Sequence, residues 1–198
     1  EQFCEGFYLK MDNIKHLDCS LRDGGYYNNW DFNDDLINNY LQVLESINID
    51  FCEIGFRFFN NNGFKGSCAF TTEEFLDSII IPKNIRIAIM INANELVSNG
   101  EFLIERLKQL IPLKASQSKV DMVRVACHSE IIENILPVFE FLHDYGYISC
   151  CNITQISDKT YQKLKELSCL LSSTKVDVLY FADSLGSSEP SSIKEIVK

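Results

Sequence analysis

Six short runs of apolar, largely β-branched residues recur along this chain of 198 residues. Each run has the length of a strand, and its residues are apolar on both faces, as in parallel sheets that are covered by helices. The pattern therefore predicts six buried strands, over residues 16–21, 50–56, 85–91, 120–126, 147–153 and 176–182.

The segments between these runs have helical periodicity. Residues that are mostly apolar recur every three or four positions, as on the buried face of a helix. The rows are Leu36, Tyr40, Leu44 and Ile47, then Ile131, Ile135, Val138 and Leu142, then Tyr161, Leu164, Ser168 and Leu171. Asp31, Ser129 and Ser157 precede these segments, and we expect them to cap the free N–H groups. A short helix is predicted at 73–79, after a long loop over 57–72 that is typical of a functional segment.

Strands alternating with helices specify a parallel α/β fold, either an open doubly wound sheet or a closed TIM (β/α)8 barrel. Open sheets commonly carry a G-x-G-x-x-G turn after the first strand, whereas this first run ends in Leu-Arg-Asp-Gly-Gly at 21–25. Six units in 198 residues give 33 residues per unit, and a complete barrel needs roughly 250 residues. We expect residues 11–198 to be a TIM-barrel fragment with about six β/α units, preceded by an extension over 1–10.

The composition narrows the function classes. Hydrophobic residues make up 46% of the chain and charged residues 23%, as in soluble globular proteins. The net charge of −10 repels anions, which disfavours nucleic acid and anionic membranes as partners. For the same reason, an anionic substrate would need an arginine or a divalent cation beside it. The eight cysteines form no C-x-x-C pair, and the chain shows neither a spanning segment nor a signal pattern. We expect reduced thiols, a cytoplasmic location and no nucleic-acid or membrane partner.

Polar residues cluster where the predicted strands end, which is where parallel α/β enzymes place their reactive groups. These candidates are Arg22, Asp23, Glu53, Arg57, Asn92, Asn94, Arg124, His128, Asn152, Gln155, Asp183 and Ser184. Structural explanations stay open at this point: a solvated turn for Arg22 and Asp23, a buried ion pair for Glu53 and Arg124, and a turn before Gly186 for Asp183 and Ser184.

Three separated motifs resemble the DRE-TIM metallolyase superfamily. Residues 17–25, Leu-Asp-Cys-Ser-Leu-Arg-Asp-Gly-Gly, are similar to its first-strand motif D-x-T-L-R-D-G, and Ala-Asp-Ser-Leu-Gly at 182–186 fits its sixth strand. The segment 26–32 together with Glu-Ile-Gly-Phe-Arg at 53–57 looks most like the catalytic domains related to 4-hydroxy-2-oxovalerate aldolase. Hydroxymethylglutaryl-CoA lyases and isopropylmalate and homocitrate synthases are other members.

The resemblance implies a metal-dependent carbon–carbon lyase or aldolase that acts on a 2-oxo acid through a pyruvate enolate, with an aldehyde as second partner. Asp23 would bind the divalent cation, Mn²⁺ or Mg²⁺, and Arg22 would hold the enolate oxygen. Glu53 would orient the groups around the metal. Arg124, Asn152, Asp183 and Ser184 would contact the substrate or the waters on the metal.

This sequence also departs from the family. The superfamily completes its metal site with an H-x-H motif on the seventh strand, and none occurs here. The hydroxyoxovalerate aldolases carry a histidine three residues after the metal-binding aspartate, where this chain has Tyr26, either a proton relay or an aromatic wall. An acyl-CoA-dependent Claisen enzyme and a non-catalytic barrel or binding domain therefore stay as alternatives, as does a homo-oligomer. We expect the isolated fragment to aggregate or to open, because an incomplete barrel leaves sheet edges exposed.

Overall fold

The computed structural model describes residues 14–59 and 63–196, so the predicted extension over 1–10 and its boundary at residue 11 lie outside the described residues. In chain order the strands are β1 (Leu17–Asp18), β2 (Phe51–Phe56), β3 (Arg86–Asn92), β4 (Val97–Ser98), β5 (Glu101–Phe102), β6 (Val120–Cys127), β7 (Ile148–Thr154) and β8 (Val178–Ala182). The helices are α1 (Ser20–Asn28), α2 (Asp34–Ser46), α3 (Glu73–Ser78), α4 (Ile104–Leu110), α5 (Ile132–Asp144), α6 (Tyr161–Ser172) and α7 (Pro190–Ile196).

The strand order decides between the two α/β architectures. Six strands form one parallel sheet in the order β1-β2-β3-β6-β7-β8, while β4 and β5 form a separate antiparallel hairpin. Each sheet strand lies beside the next sheet strand along the chain, whereas a doubly wound sheet reverses direction at a switch point. The sheet with its intervening helices is a partial TIM barrel, which confirms the predicted fold class.

The sheet has a different apolar layer on each of its faces. The larger layer packs strand residues such as Ile89 and Val125 against helix residues such as Leu41 and Phe139. A smaller cluster of Phe51, Ala88, Met122 and Cys150 lies apart from it and includes no helix residue. Because successive strand residues point to opposite faces, the smaller cluster fills the inside of the partial barrel.

The prediction for the first strand was wrong in its length. Only Leu17 and Asp18 pair with β2, and the chain enters α1 at Ser20. Arg22 and Asp23 are therefore helical residues in the first turns of α1, not part of a turn after a strand.

The predicted helix caps were also wrong. Asn33 caps α2 by accepting from the Leu36 N–H, and Thr160 caps α6 by accepting from the Lys163 N–H. Ser129 begins a 3₁₀ turn, Ser129–Ile131, before α5 starts at Ile132. The predicted buried row of α2 was right at Leu44 and wrong at Leu36 and Ile47, which are exposed; the buried residues are Ile37, Leu41 and Leu44.

None of the cysteines that the structure describes forms a disulfide. Five are buried, Cys52, Cys68, Cys127, Cys150 and Cys151, while Cys19 and Cys169 are half-buried. In residues 14–59 and 63–196, no helix has the length and apolar character needed to cross a membrane.

Candidate active site

The start of α1 is held in place by a tryptophan that folds back on it. Asn29 and Trp30 both have φ of 58°, so the chain turns sharply where α1 ends. The Trp30 Nε1–H then donates to the Arg22 carbonyl at 2.9 Å. A Cβ atom at Gly25 would lie 1.9 Å from Trp30 Cδ1, so only glycine lets the indole lie against the helix. This contact fixes the backbone that carries Arg22 and Asp23.

Glu53 joins the two arginines of the site. Its carboxylate, on β2, is fully buried and accepts from Arg22 Nε at 2.6 Å. Arg124 Nη1, from β6, donates to both Glu53 oxygens at 2.8 and 2.9 Å, and Arg124 Nη2 donates to Asn152 Oδ1 at 2.9 Å. The buried ion pair between Glu53 and Arg124 is thus present, and it extends to Arg22.

Two arginines and two carboxylates, Glu53 and Asp23, form the charged base of the site, and their formal charges balance. Burial opposes the charge of each guanidinium, but the neighbouring Glu53 carboxylate raises the pKa of both Arg22 and Arg124 above the ordinary value. Both arginines therefore remain charged at any physiological pH. Arg22 also pairs with Asp23, whose side chain is 61% exposed. An anionic substrate in this acidic protein would therefore meet two permanently charged guanidinium groups rather than a net positive charge.

A cavity of about 570 Å³ opens above this network. The comparison with the superfamily motifs suggested a role for eight residues, and seven of them line this cavity: Arg22, Asp23, Tyr26, Arg124, Asn152, Asp183 and Ser184. Glu53 lies beneath, where it contacts the two arginines but not the cavity. The other lining residues are Phe56, Phe58, Met90, Asn92, Asn94, Ala126, Cys127, His128, Thr154, Gln155 and Ala182.

An aromatic cluster forms one part of the cavity wall. The Tyr26 ring lies 4.9 Å from Trp30 and 6.1 Å from Phe56, and Phe56 stacks on Phe58 at 4.3 Å between ring centroids. Partial burial and the nearby Asp23 and Glu53 charges raise the Tyr26 pKa, despite the opposing Arg22 charge. The tyrosine is consequently a poor base at neutral pH.

A bulge in β2 explains why Glu53 and Phe56 both belong to the site. Glu53 pairs with Ala88 and Phe56 with Met90, and the register shifts between Glu53 and Gly55. In a regular strand, residues three positions apart point to opposite faces, and one extra residue brings them to the same face. A Cβ at Gly55 would lie 1.7 Å from the Cys68 carbonyl oxygen, so the bulge needs glycine there. Strand alternation alone therefore could not identify Phe56 as a lining residue.

Amide, hydroxyl and imidazole groups form another part of the wall, at the ends of β3, β6 and β7. Here His128 Nδ1 lies 3.1 Å from Thr154 Oγ1. Thr154 was not among the sequence candidates, although it directly follows the strand predicted over 147–153 and ends β7.

Asp183 and Ser184 also have structural partners at the end of β8. Asp183 accepts from the Ser188 and Ser187 N–H groups at 2.8 and 3.2 Å, which lowers its pKa. Ser184 Oγ accepts from the Gln155 N–H at 3.3 Å. The turn function that the sequence left open is therefore present, although both residues also line the cavity.

Arg57, which follows β2, does not line the cavity. It is buried and donates to Glu73 Oε1 at 2.7 Å and to the Thr71 and Leu110 carbonyls at 3.0 Å. The prediction that residues at strand ends belong to the site was wrong for Arg57. Its contacts connect β2 to α3, to α4 and to the loop at Thr71.

The described residues offer little to hold a metal ion. Within 14–59 and 63–196, no three His, Cys, Asp or Glu side chains come together in a way that could bind one. Asp23 is present at the family's ligand position, but Mn²⁺ and Mg²⁺ need several ligands. Since these residues alone do not fit a cation, we derive no chemical step through one.

A second cavity, of about 610 Å³, lies around the start of β1 and is lined by Lys15, His16, Leu17, Asp18, Cys19, Ile49, Arg124 and Tyr180. Tyr180 lies under Arg124, whose Cζ is 4.4 Å from the ring centroid. Parallel barrels carry their chemistry at the carboxyl ends of the strands. The first cavity is therefore the candidate active site.

Comparison with solved structures places this architecture among lyases and aldolases. The N-terminal domain of a proposed aldolase from Bacteroides vulgatus matches with a TM-score of 0.79 and 27% identity, over 93% of this chain and 59% of that one. A Brucella melitensis HMG-CoA lyase matches with a TM-score of 0.62 and 16% identity, over 93% of this chain and 67% of that one. A Pseudomonas aeruginosa hydroxymethylglutaryl-CoA lyase matches with a TM-score of 0.68 and 13% identity, over 93% and 62%.

No protein-family model matches the sequence, and no curated protein matches it significantly. The chain spans 59% of the length of the aldolase domain's chain and 62% of the Pseudomonas lyase. The low-identity lyases bear on the fold alone. The aldolase domain, at 27% identity, agrees with the resemblance that the three motifs indicated.

Proposed function

From this superfamily resemblance, we propose that the protein is a carbon–carbon lyase or aldolase that acts on a 2-oxo acid through its enolate. The observation that carries the proposal is the Arg22 guanidinium, which Glu53 holds in the cavity at 2.6 Å. Nε and Nη1 of Arg22 donate to Glu53 and Asp23, and Nη2 contacts no acceptor in the described part of the chain. It can donate to a substrate oxygen.

Arg22 would stabilise the enolate by a charge-assisted hydrogen bond. Cleavage of a 4-hydroxy-2-oxo acid moves the electrons of the C3–C4 bond onto the C2 oxygen, and aldol addition reverses the same movement. A fixed guanidinium beside that oxygen stabilises the negative charge in both cleavage and addition, because it needs no reorientation as the charge develops. Arg124 adds a second guanidinium at the base of the cavity, and its hydrogen bond to Asn152 fixes the orientation of that group.

A divalent cation belongs to the proposal as an additional component. The resemblance implies Asp23 as one of its ligands, and no step of the proposal runs through the cation. Tyr26 serves in this proposal as the aromatic wall of the pocket.

The lining residues favour a 2-oxo acid over an acyl-CoA. No lysine lines the first cavity in the described part of the chain, and Arg22 and Arg124 are both engaged by Glu53. A CoA ester carries several phosphate charges that need cations of their own. A small carboxylate needs only the two guanidinium groups that already line the cavity.

Exchange of the pyruvate methyl protons tests the proposal. The protein with Mn²⁺ or Mg²⁺ in D₂O should exchange these protons, as followed by NMR, and Arg22→Ala should reduce the rate about 100-fold or more because the enolate loses its donor. Arg86→Ala is the matched control, since Arg86 lies at the start of β3 and outside the cavity. Wild-type exchange in Arg22→Ala, with an unchanged circular dichroism spectrum, would exclude Arg22. Absence of exchange in the wild type would favour a non-catalytic barrel.

A further inference from the structure

Cleavage of a 4-hydroxy-2-oxo acid needs a base for the hydroxyl proton, and the cavity offers few. Asp23 is paired with Arg22, and Asp183 accepts two backbone N–H groups. Tyr26 holds its proton too tightly for this task. Imidazole is the side chain that most often transfers protons in enzymes, and His128 lines the same cavity as Arg22.

The hydrogen bonds around His128 define which of its nitrogens carries the proton. Thr154 Oγ1 donates to the Cys127 carbonyl oxygen at 3.3 Å and lies 3.1 Å from His128 Nδ1. A carbonyl oxygen only accepts, so the single hydroxyl hydrogen of Thr154 is directed to it. In this arrangement the hydroxyl oxygen accepts from Nδ1–H, and the opposite arrangement, with the hydroxyl donating to Nδ1, is the one that the tautomer measurement below would reveal. In the neutral imidazole, Nε2 consequently carries the lone pair and can act as a base.

The surroundings of His128 suit the aldehyde half of a substrate. Asn92 ends β3, Asn94 and Gln155 follow the ends of β3 and β7, and all three line the same cavity as His128. Amide groups of this kind hydrogen-bond to carbonyl and hydroxyl oxygens without introducing charge. The enolate end has its own group in Arg22, so the cavity contains separate groups for the two products.

We infer that His128 is the residue that transfers the proton of the aldehyde product, with Thr154 positioning its ring. In cleavage, Nε2 takes the hydrogen of the C4 hydroxyl, the oxygen forms the aldehyde double bond, and the C3–C4 electron pair becomes the enolate held by Arg22. In synthesis, the imidazolium returns the proton to the aldehyde oxygen as the carbon–carbon bond forms. This assignment rests on the proposed function.

Two substrates separate the inference from the proposed function. Oxaloacetate loses CO₂ to give the same enolate without removal of a hydroxyl proton, whereas a 4-hydroxy-2-oxo acid needs the base. His128→Asn places an amide N–H near Nδ1, so it keeps the Thr154 contact and removes Nε2. We expect it to lower kcat for cleavage about 100-fold or more, with little change in KM and in oxaloacetate decarboxylation.

Arg22→Ala should instead lose both reactions. Cleavage at the wild-type rate in His128→Asn, or equal loss of both reactions, would overturn the role of His128. If the wild type carries out neither reaction, both proposals fail.

The tautomer gives a readout that does not depend on activity. The chain has three histidines, His16, His128 and His143, so the His128 signals in a ¹⁵N–¹H spectrum can be assigned by their loss in His128→Asn. At a pH where the ring is neutral, we expect a protonated Nδ1 and an unprotonated Nε2. Thr154→Val should weaken this preference, and Thr154→Ser should retain it. A protonated Nε2 in the wild type would overturn the inference.

Discussion

At the scale of single residues, the site depends on how one arginine divides its contacts between two acids. Glu53 is buried and neutralises Arg22 from below, whereas the Asp23 side chain is 61% exposed. Arg22 therefore keeps a partner even if Asp23 binds another cation. A carboxylate that is exposed, charged and replaceable as an ion-pair partner is suited to be a metal ligand.

Asp23→Ala should weaken Mn²⁺ binding to the protein about tenfold or more, because the cation loses a charged oxygen ligand. Titration calorimetry measures the affinity directly. Asp31→Ala is the matched control, since this aspartate is exposed and lies outside the cavity. Equal Mn²⁺ affinity in wild type and Asp23→Ala would contradict the assignment.

At the scale of elements, α1 is unusual because two adjacent glycines in it have opposite surroundings. A Cβ at Gly25 would overlap the Trp30 ring, whereas one at Gly24 would have Phe32 Cζ as its nearest neighbour, at 3.7 Å. The nearly buried Trp30 packs against Phe56 and Phe58 and cannot withdraw freely. The second glycine is therefore required by packing and the first is not.

Gly25→Ala should lower the free energy of unfolding by about 1–3 kcal/mol, as expected for overpacking. Gly24→Ala should be neutral or stabilising by up to about 1 kcal/mol, because alanine favours a helix where no clash occurs. Urea denaturation followed by Trp30 fluorescence compares the two variants. Equal stabilities would mean that the indole does not lie on Gly25 as described.

The elements also show what the sequence could predict. The strands β2, β3, β6 and β7 begin and end within one residue of their predicted positions, because parallel strands buried on both faces are continuous apolar runs. The first strand failed because Leu21, also apolar, is buried by α1 instead. Apolar character indicates burial but does not distinguish a short strand from the helix that follows it.

The charged residues that line the cavity, and Tyr26, could be named from the sequence, whereas Phe56 and Phe58 could not. Arg22, Asp23 and Arg124 stand out because charges are rare beside buried strands. Phe56 and Phe58 look like core residues, and only the β2 bulge turns Phe56 toward the cavity. A change of register depends on the neighbouring strand and on Cys68 behind Gly55, neither of which a local pattern reveals.

At the scale of the whole molecule, two strands of the sheet have an unpaired side. Among the described residues, β1 pairs only with β2, and β8 only with β7. The five residues of β8 are all partly exposed. Unpaired backbone N–H and C=O groups on a partly apolar strand invite pairing with another chain. The α2 helix adds an exposed apolar row, with Leu36 at 45%, Val43 at 54% and Ile47 at 59%.

The polypeptide of 198 residues should therefore self-associate, and sedimentation velocity should show species larger than a monomer that increase with concentration. Val43→Lys combined with Ile47→Lys distinguishes the two surfaces, because both side chains lie outside the core and can be changed without loss of packing. Association that persists in this double variant assigns it to the strand edges, as we expect. Association that disappears assigns it to α2 instead. A monomer at all concentrations that unfolds in one cooperative transition would contradict the prediction, because the unpaired side of β8 would then be stable in water.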